Sequence, residues 1–517
     1  MKRIAGVTAM LLAFCILVGC SKFDSSGQTE QIVLEVVGFQ SDVSVDWEEM
    51  DFFKKMEELT NIRLDIKTYP DAEYNDKIKL VFATNNLPDM FLKAGLSKQD
   101  EVYYGDLCGY LLPLEDLIVR YAPNLNAKIE ENENIRKAIT LPNGHIYSTP
   151  AINNLPRDQM NKIWINNEWL SHLGLSMPKT TDEFYDVLKA FKENDPNGNG
   201  IKDEIPLSLM KGSQFNLIFG SWGLICNMDY MCVDENGKVL FVPLQDGYKE
   251  ALKFYQKLYS EGLLDNDSFT QTRQNLEAKG NSTETILGSF VMSGPYPIVG
   301  TERNDKYSAM PPLYGPSGKK PLWNKFESIK SGAFVMTNNN KYPEETMKWI
   351  DILYTDEMSD YLTRGEKDVH YYVESDGKWD FIYGEKDKNP LKFGAAFSPV
   401  YGGKTCFPYI NNKDIILLQK DEKSGGLNGY INEQAKVYDP YLRISYPSIY
   451  FTGDVAETSS RISVNINSYV EEMMVRFIMG NEDIDSYWDE YVSNLKKMQV
   501  DTLVDIYQKN YDEYLAR

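Results

Sequence analysis

At 517 residues the chain is longer than one hydrophobic core usually fills, so at least two lobes are expected. With 54 Lys and Arg against 76 Asp and Glu its formal net charge is -22, an acidic surface that disfavours nucleic acid and keeps a protein soluble. Its three histidines, His145, His172 and His370, make no HExxH or similar cluster, and Walker A, GxGxxG and G-x-S-x-G patterns are absent, so hydrolase and nucleotide chemistry lack visible support.

The N-terminus reads as a secretory signal. Lys2 and Arg3 form a basic start, Ile4 to Val18 is apolar or small, and Leu17-Val18-Gly19-Cys20 closes a segment too short for a comfortable membrane span. A cysteine at the cleavage point resembles the bacterial lipobox. That implies removal of residues 1–19, a lipid on Cys20 and an anchor on the membrane face. Residues 20–31 are then a polar lipidated tether, and loss of Lys2 and Arg3 leaves a charge of about -24.

Periodicity predicts the elements that follow. Ile32–Val37 is a buried strand, Trp47–Thr60 a helix with Met50, Phe53, Met56 and Leu59 at helical spacing, and Ile62–Lys67 a strand. Tyr74–Thr84 is a second helix before a strand that starts at Leu87. Alternating strands and helices predict a parallel sheet, whose cavities open at the strand carboxyl ends, here near Gln40–Trp47 and Leu92–Leu96. Asn143–Tyr147 is a turn into a strand and Ala151–Gln159 a polar loop. Lys162–Ile165 is a strand and Glu168–Leu173 a short helix. Thr180-Thr181-Asp182-Glu183 is a capping box that opens a helix burying Phe184, Val187, Leu188 and Phe191. Gly237 turns between strands 231–233 and 239–242, and the amphipathic helix 248–261 stops at Gly262. Gly288–Ser293 is a strand leading into the kinked Gly294-Pro295-Tyr296-Pro297, and residues 307–330 read as loop. A strand at 332–336, a helix at 343–354 and a helical region from Arg461 onward complete the reading.

The helix that ends near Glu193 runs into Asn194-Asp195-Pro196-Asn197-Gly198-Asn199-Gly200-Ile201-Lys202-Asp203-Glu204-Ile205-Pro206. Its first half follows the calcium-loop rhythm D-x-N-x-N-G, with Asp195, Asn197 and Asn199 as oxygen donors and Ile201 where a main-chain carbonyl is used. The twelfth position is Pro206, so the closing acid falls to Asp203, Glu204 or both. No catalytic water activator stands nearby, and the expected calcium is structural. Four cysteines remain besides Cys20 in the mature chain. Cys108, Cys226, Cys232 and Cys406 match no metal spacing, while Cys226 and Cys232 suit a small-loop disulfide or two buried thiols equally. Aromatic residues are 13% of the chain, with 34 Tyr and 8 Trp, and such rings grip sugars when they are not core.

Several stretches are similar to the family 1 extracellular solute-binding lipoproteins of bacterial ABC sugar importers. They are the lipobox, residues 50–62 (MDFFKKMEELTNI), 87–90 (LPDM), 121–124 (YAPN), 164–175 (WINNEWLSHLGL) and 178–184 (PKTTDEF). The Asp195–Pro206 loop and residues 506–514 (IYQKNYDEY) resemble the calcium-loop branch that includes alginate-oligosaccharide receptors. The resemblance implies an α/β, two-lobed periplasmic-binding-protein-like fold of type II with a helical C-terminal region. Lobe one would take residues 32–150 with about 300–365, and lobe two 151–299 with about 366–517. It also implies a monomer that captures an oligosaccharide between the lobes and delivers it to a membrane permease, without catalysis.

By the same resemblance Phe290–Tyr296 is the strand and Gly-Pro-aromatic turn of maltose-type receptors, with Tyr296 the leading ligand contact, and Trp222 lies where relatives place a sugar-facing ring. Residues 364–371 resemble the Gly-x-Glu-Gly-x-x-Tyr hinge stretch, which nominates Glu366 and Tyr371, although Lys367-Asp368 replaces the usual Gly. Trp47, Asn153 and Asn154 are nominated by strand-end loops, and Trp323 by a Pro/Gly/Lys loop at the cleft mouth. Two other classes compete with transport. One is a secreted carbohydrate-active enzyme using a carboxylate pair; the other is a sensor presenting its ligand to a membrane kinase.

Overall fold

The computed structural model describes residues 31–41, 44–70, 73–384, 390–401, 405–420, 427–451 and 453–516. The signal segment and Cys20 lie outside the described residues. Within them the chain builds two bodies, each around its own sheet.

The first body holds a five-stranded sheet in the order 62–70, 32–40, 90–92, 329–336, 148–152. Ile32–Gln40 runs parallel to both Ile62–Pro70 and Met90–Leu92, as the strand–helix–strand pattern predicts. The other two strands are antiparallel additions. Side chains alternate across the pleat, so Leu34, Val36, Met90 and Leu92 enter one core while Val37, Phe39 and Phe91 enter another on the opposite face. The helix expected from Trp47 begins as a 3-10 turn at Trp47–Glu49, followed by Asp51–Thr60, which buries Phe52, Phe53 and Met56.

The second body centres on an antiparallel sheet in the order 289–292, 162–166, 307–309. Helix Thr181–Glu193 buries Phe184, Val187, Leu188 and Phe191 against it. Thr180 caps that helix by accepting from the Glu183 amide at 3.1 Å. The Glu183 carboxylate takes the Lys179 amide at 2.7 Å instead of closing the expected box on Thr180. The helices Asp246–Ser260, Gly453–Ile478, Ile484–Lys497 and Val500–Leu515 complete this core.

Two expectations are corrected here. Residues 307–330 are not all loop, because Tyr307–Ala309 pairs with Trp164–Asn166, and Trp323–Asn324 pairs with Leu442–Arg443. Strands of two or three residues carry no readable period, which is why the sequence hid them. The return to the first body consequently falls at Ile329 instead of about 300. Nor do residues 366–517 stay in the second body. Phe407 packs in the first core, and Tyr450 packs under the first sheet. A further small cluster, unanticipated in the sequence, gathers Tyr371, Trp379, Phe381 and Phe397 around the hairpin 371–373/379–381.

Tyr450 pins the last of these crossings. Its hydroxyl donates to Glu101 at 3.0 Å, Ser148 donates to the same carboxylate at 2.8 Å, and Lys98 lies 4.3 Å over the Tyr450 ring. Burial pushes the Glu101 carboxyl up to about 7, against the lowering pull of Ser331, Ser148, Lys98 and Tyr450. Its folded value stands above the unfolded value near 4.5, so the folded chain holds a proton that the unfolded chain has released. Stability on this account is fullest below pH 4.5 and declines as pH rises toward about 7. Glu101→Gln is expected to flatten that decline in a melting-temperature series from pH 4.5 to 8; an unchanged slope would contradict it.

Candidate functional site

The chain crosses between the two bodies through residues 153–161, through 310–328 and again beyond Ile410. Against the first crossing lies a cavity of about 300 Å³, whose lining includes Asn153, Arg157, Asp158, Tyr296, Trp379, Phe381, Tyr401, Tyr409, Asn411 and Asn428. Tyr296 comes from the second body, Thr363 and Tyr409 from the first, and Trp379 and Phe381 from the small hairpin.

Each wall is held by identifiable contacts. Strand Ser289–Met292 leads into Gly294, where a Cβ would come 2.4 Å from Ile431 Cδ1, so the glycine lets the Ile431 side chain pack against the turn. The turn runs on as a one-turn helix, Tyr296–Val299, in place of the expected kinked loop. The Tyr296 amide donates to Asn304 Oδ1 at 3.1 Å. Trp379 is fixed by its Nε1 donating to the Ile415 carbonyl at 2.7 Å. Tyr401 donates its hydroxyl to the Thr363 carbonyl, and burial raises its pKa. Lys93, at the carboxyl end of strand Met90–Leu92, donates to the carbonyls of Pro399 (2.9 Å) and Tyr401 (3.3 Å). Its burial lowers the ammonium to about 8.

The polar side of the cavity is an amide network. Asn411 donates through Nδ2 to Asn153 Oδ1 and accepts from the Asn154 amide at 3.0 Å. Asn153 Nδ2 donates to Asp158 at 3.1 Å, and Asp158 pairs with Arg157 at 3.3 Å. Arg157 also donates to Asn428 Oδ1. Lys162 holds the crossing by donating to the carbonyls of Arg157 (2.6 Å) and Ser293 (3.0 Å), and its burial lowers the ammonium to about 8. Aromatic faces beside fixed amides suit a ligand that is apolar on its faces and hydroxylated at its edge.

Of the residues nominated from sequence, the structure brings Tyr296 and Asn153 together in this cavity and leaves the others outside it. Trp47 is 2% exposed, stacked on Phe53 at 5.0 Å and pressed on the Gly38 backbone. Trp323 is buried against Tyr438, its Nε1 donating to the Asn161 carbonyl. Trp222 is half-buried beside Phe254 at 5.7 Å. Tyr371 is buried under the Arg364 guanidinium and edge-on to Trp379, so it backs the cavity wall without lining it. Glu366 is exposed, and its amide donates to His370 Nδ1 at 2.9 Å. Asn154 is exposed and contributes its amide alone. Trp379, Phe381, Tyr401, Tyr409 and Asn411 were missed, although the Trp-Asp-Phe alternation after Asp376-Gly377 is a strand signal.

The Asp195 loop folds on itself. Asp195 lies in the left-handed region (φ 47°) and accepts from the amides of Asn199 (3.1 Å) and Gly200 (2.9 Å). Asp203 accepts from the side-chain amides of Asn197 and Asn199, and Asn199 Oδ1 takes the Ile201 amide. Both Glu204 carboxylate oxygens are buried without a protein partner. Desolvation, then the charges of Asp203 and Asp195, raise its pKa. Among the described residues no group of three or more His, Cys, Asp or Glu forms a metal-holding cluster. The loop's donor set is instead mixed amide and carboxylate, and its unpartnered acid fits a cation. Cys226 and Cys232 are both free thiols.

Two α/β bodies linked by repeated crossings around a cavity define the two-lobed binding proteins. The chain belongs to the bacterial extracellular solute-binding protein family, whose model matches residues 45–359. It is 30% identical over 492 residues to the fructooligosaccharide ABC transporter substrate-binding protein FusA of Streptococcus pneumoniae, covering 90% of this chain and 87% of that one. The polygalacturonan/rhamnogalacturonan-binding protein YtcQ of Bacillus subtilis is 28% identical over 391 residues, covering 71% and 74%. FusA in complex with kestose superposes with a TM-score of 0.81 at 29% identity, covering 94% of this chain and 99% of that one. The alginate-binding protein AlgQ2, 21% identical with a TM-score of 0.74, shares the fold.

Proposed function

We propose that this protein is the substrate-binding lipoprotein of an ABC importer, taking up an oligosaccharide between its lobes and passing it to a membrane permease. The observation that carries the reading is the cavity between the bodies, where Tyr296 and Tyr401 stand beside the Asn153–Asn411 amide pair and the buried Trp379 backs the wall. Among the described residues its one acidic lining residue, Asp158, is already paired with Arg157, whereas glycoside hydrolysis commonly uses two carboxylates. Hinge closure would bury a sugar from both sides at once. The lipid on Cys20 rests on the lipobox alone, as does the extracytoplasmic membrane face, and the monomeric state is part of the same reading. Calorimetric titration with kestose, other fructooligosaccharides and oligogalacturonides tests it. Saturable binding by one of these glycans is expected; stabilisation by peptides with silence from every glycan would overturn it.

Calcium in the Asp195 loop is part of the same proposal. Asp195, Asn197, Asn199, Asp203, Glu204 and the Ile201 carbonyl would hold the ion, which would balance the buried Glu204 charge and brace the end of helix Thr181–Glu193. None of these residues lines the cavity. Chelation is therefore expected to lower stability by about 2–4 kcal/mol, as for a site saturated a hundred- to thousandfold above its Kd. Glycan affinity should be unchanged, and a chelator that abolished binding at constant Tm would contradict this placement.

A further inference from the structure

A second and larger cavity, of about 530 Å³, also spans both bodies. The two cavities border different cores of the first body. The cavity at Tyr296 borders the face whose core holds Phe407, through Val400 and Tyr409. The second borders the opposite face, through Ser97 and Gln99, next to Leu96 and Val102 of the other core.

Its lining has the chemistry of a binding site. Asn216 Oδ1 and Asn324 Oδ1 are buried acceptors without a donor among the described residues. Asn324 cannot simply turn to relieve this, because its Nδ2 donates to the Cys226 carbonyl at 3.3 Å. Phe326 keeps 36% of its surface exposed in the same cavity, a platform for a C–H face. The acids are already engaged, Asp229 by Tyr507 (2.6 Å) and Asn467 (3.0 Å), and Glu327 by the Ser448 amide (3.0 Å). Lys325 and Lys330 add positive charge to the wall, which disfavours an ammonium as the missing donor. What remains is a neutral ligand that supplies hydroxyl donors on one edge and a C–H face on the other.

We propose that this cavity is a second saccharide site, taking a neutral mono- or disaccharide unit between Phe326 and the amides of Asn216 and Asn324. The site does not depend on the Tyr296 cavity, since the two share no lining residue.

Saturation-transfer NMR and calorimetry of the full mature chain with fructose, galactose and kestose test it. In a Tyr296→Ala background, saccharide binding is expected to persist and to weaken at least about fivefold on adding Phe326→Ala. Asn216→Ala, at a half-buried position, provides a second variant with the same expected direction should Phe326→Ala lose stability. Loss of all saccharide binding in Tyr296→Ala alone would overturn this site and leave the importer reading standing. Residual binding indifferent to both Phe326→Ala and Asn216→Ala would also overturn it. Binding of wild type that depends on Phe326 and is untouched by Tyr296→Ala would support this site and count against the Tyr296 cavity.

Discussion

Replacing Trp47 by alanine is expected to destabilise the protein by about 3–5 kcal/mol while leaving glycan affinity unchanged. The ring is buried between strand Ile32–Gln40 and helix Asp51–Thr60, flat on Phe53. A Cβ on Gly38 would stand 2.3 Å from the Trp47 Cη2 atom, so the ring occupies space that the strand leaves open by having no side chain there. Removing the indole opens a cavity that the two elements cannot close without moving the sheet. A urea unfolding midpoint that hardly shifts, or a folded variant with weakened glycan binding, would restore Trp47 as a ligand residue. Gly38→Ala should destabilise for the complementary reason, overpacking at the same contact.

Tyr296→Ala is the second change with a large expected effect, and here the loss falls on binding. The ring stands on the cavity wall at the end of strand Ser289–Met292, where Gly294 and the Asn304 contact fix the turn independently of the side chain. Truncating an aromatic anchor in such a position costs about 1.5–3 kcal/mol, or roughly ten- to hundredfold in Kd. Stability should hardly change, because Tyr296 is only half-buried. Tyr296→Phe keeps the ring and should recover most of the affinity. Equal Kd values for wild type and Tyr296→Ala would remove the ring from the site.

Much of the architecture was legible because its elements are long enough to show a period. The parallel start of the first sheet follows from Ile32–Gln40, Ile62–Pro70 and the helix between them. The helix before the Asp195 loop follows from four apolar residues on one face. The site was legible only in part. Its second-body wall came through Gly294–Tyr296, but its remaining aromatics come from residues 379–409, where a three-residue hairpin strand and loops carry no periodic signal. Tryptophans were the weakest guide. Trp47, Trp323 and Trp379 look alike in sequence, and only packing decides that the first two are core while the third backs the cavity. Gly38 was the one local cue to Trp47, since an interior strand glycine marks a close approach.

The C-terminal helix Val500–Leu515 bears on how the molecule is made. Gln508 accepts from the Val239 amide at 2.7 Å and donates to the Gly237 carbonyl, and Tyr507 reaches Asp229. These contacts finish a hairpin that left the ribosome about 270 residues earlier. Leu503 and Tyr507 belong to the same core as Trp164 and Phe290. During synthesis the second body thus lacks this wall until helix Val500–Leu515 has emerged, so its core closes late.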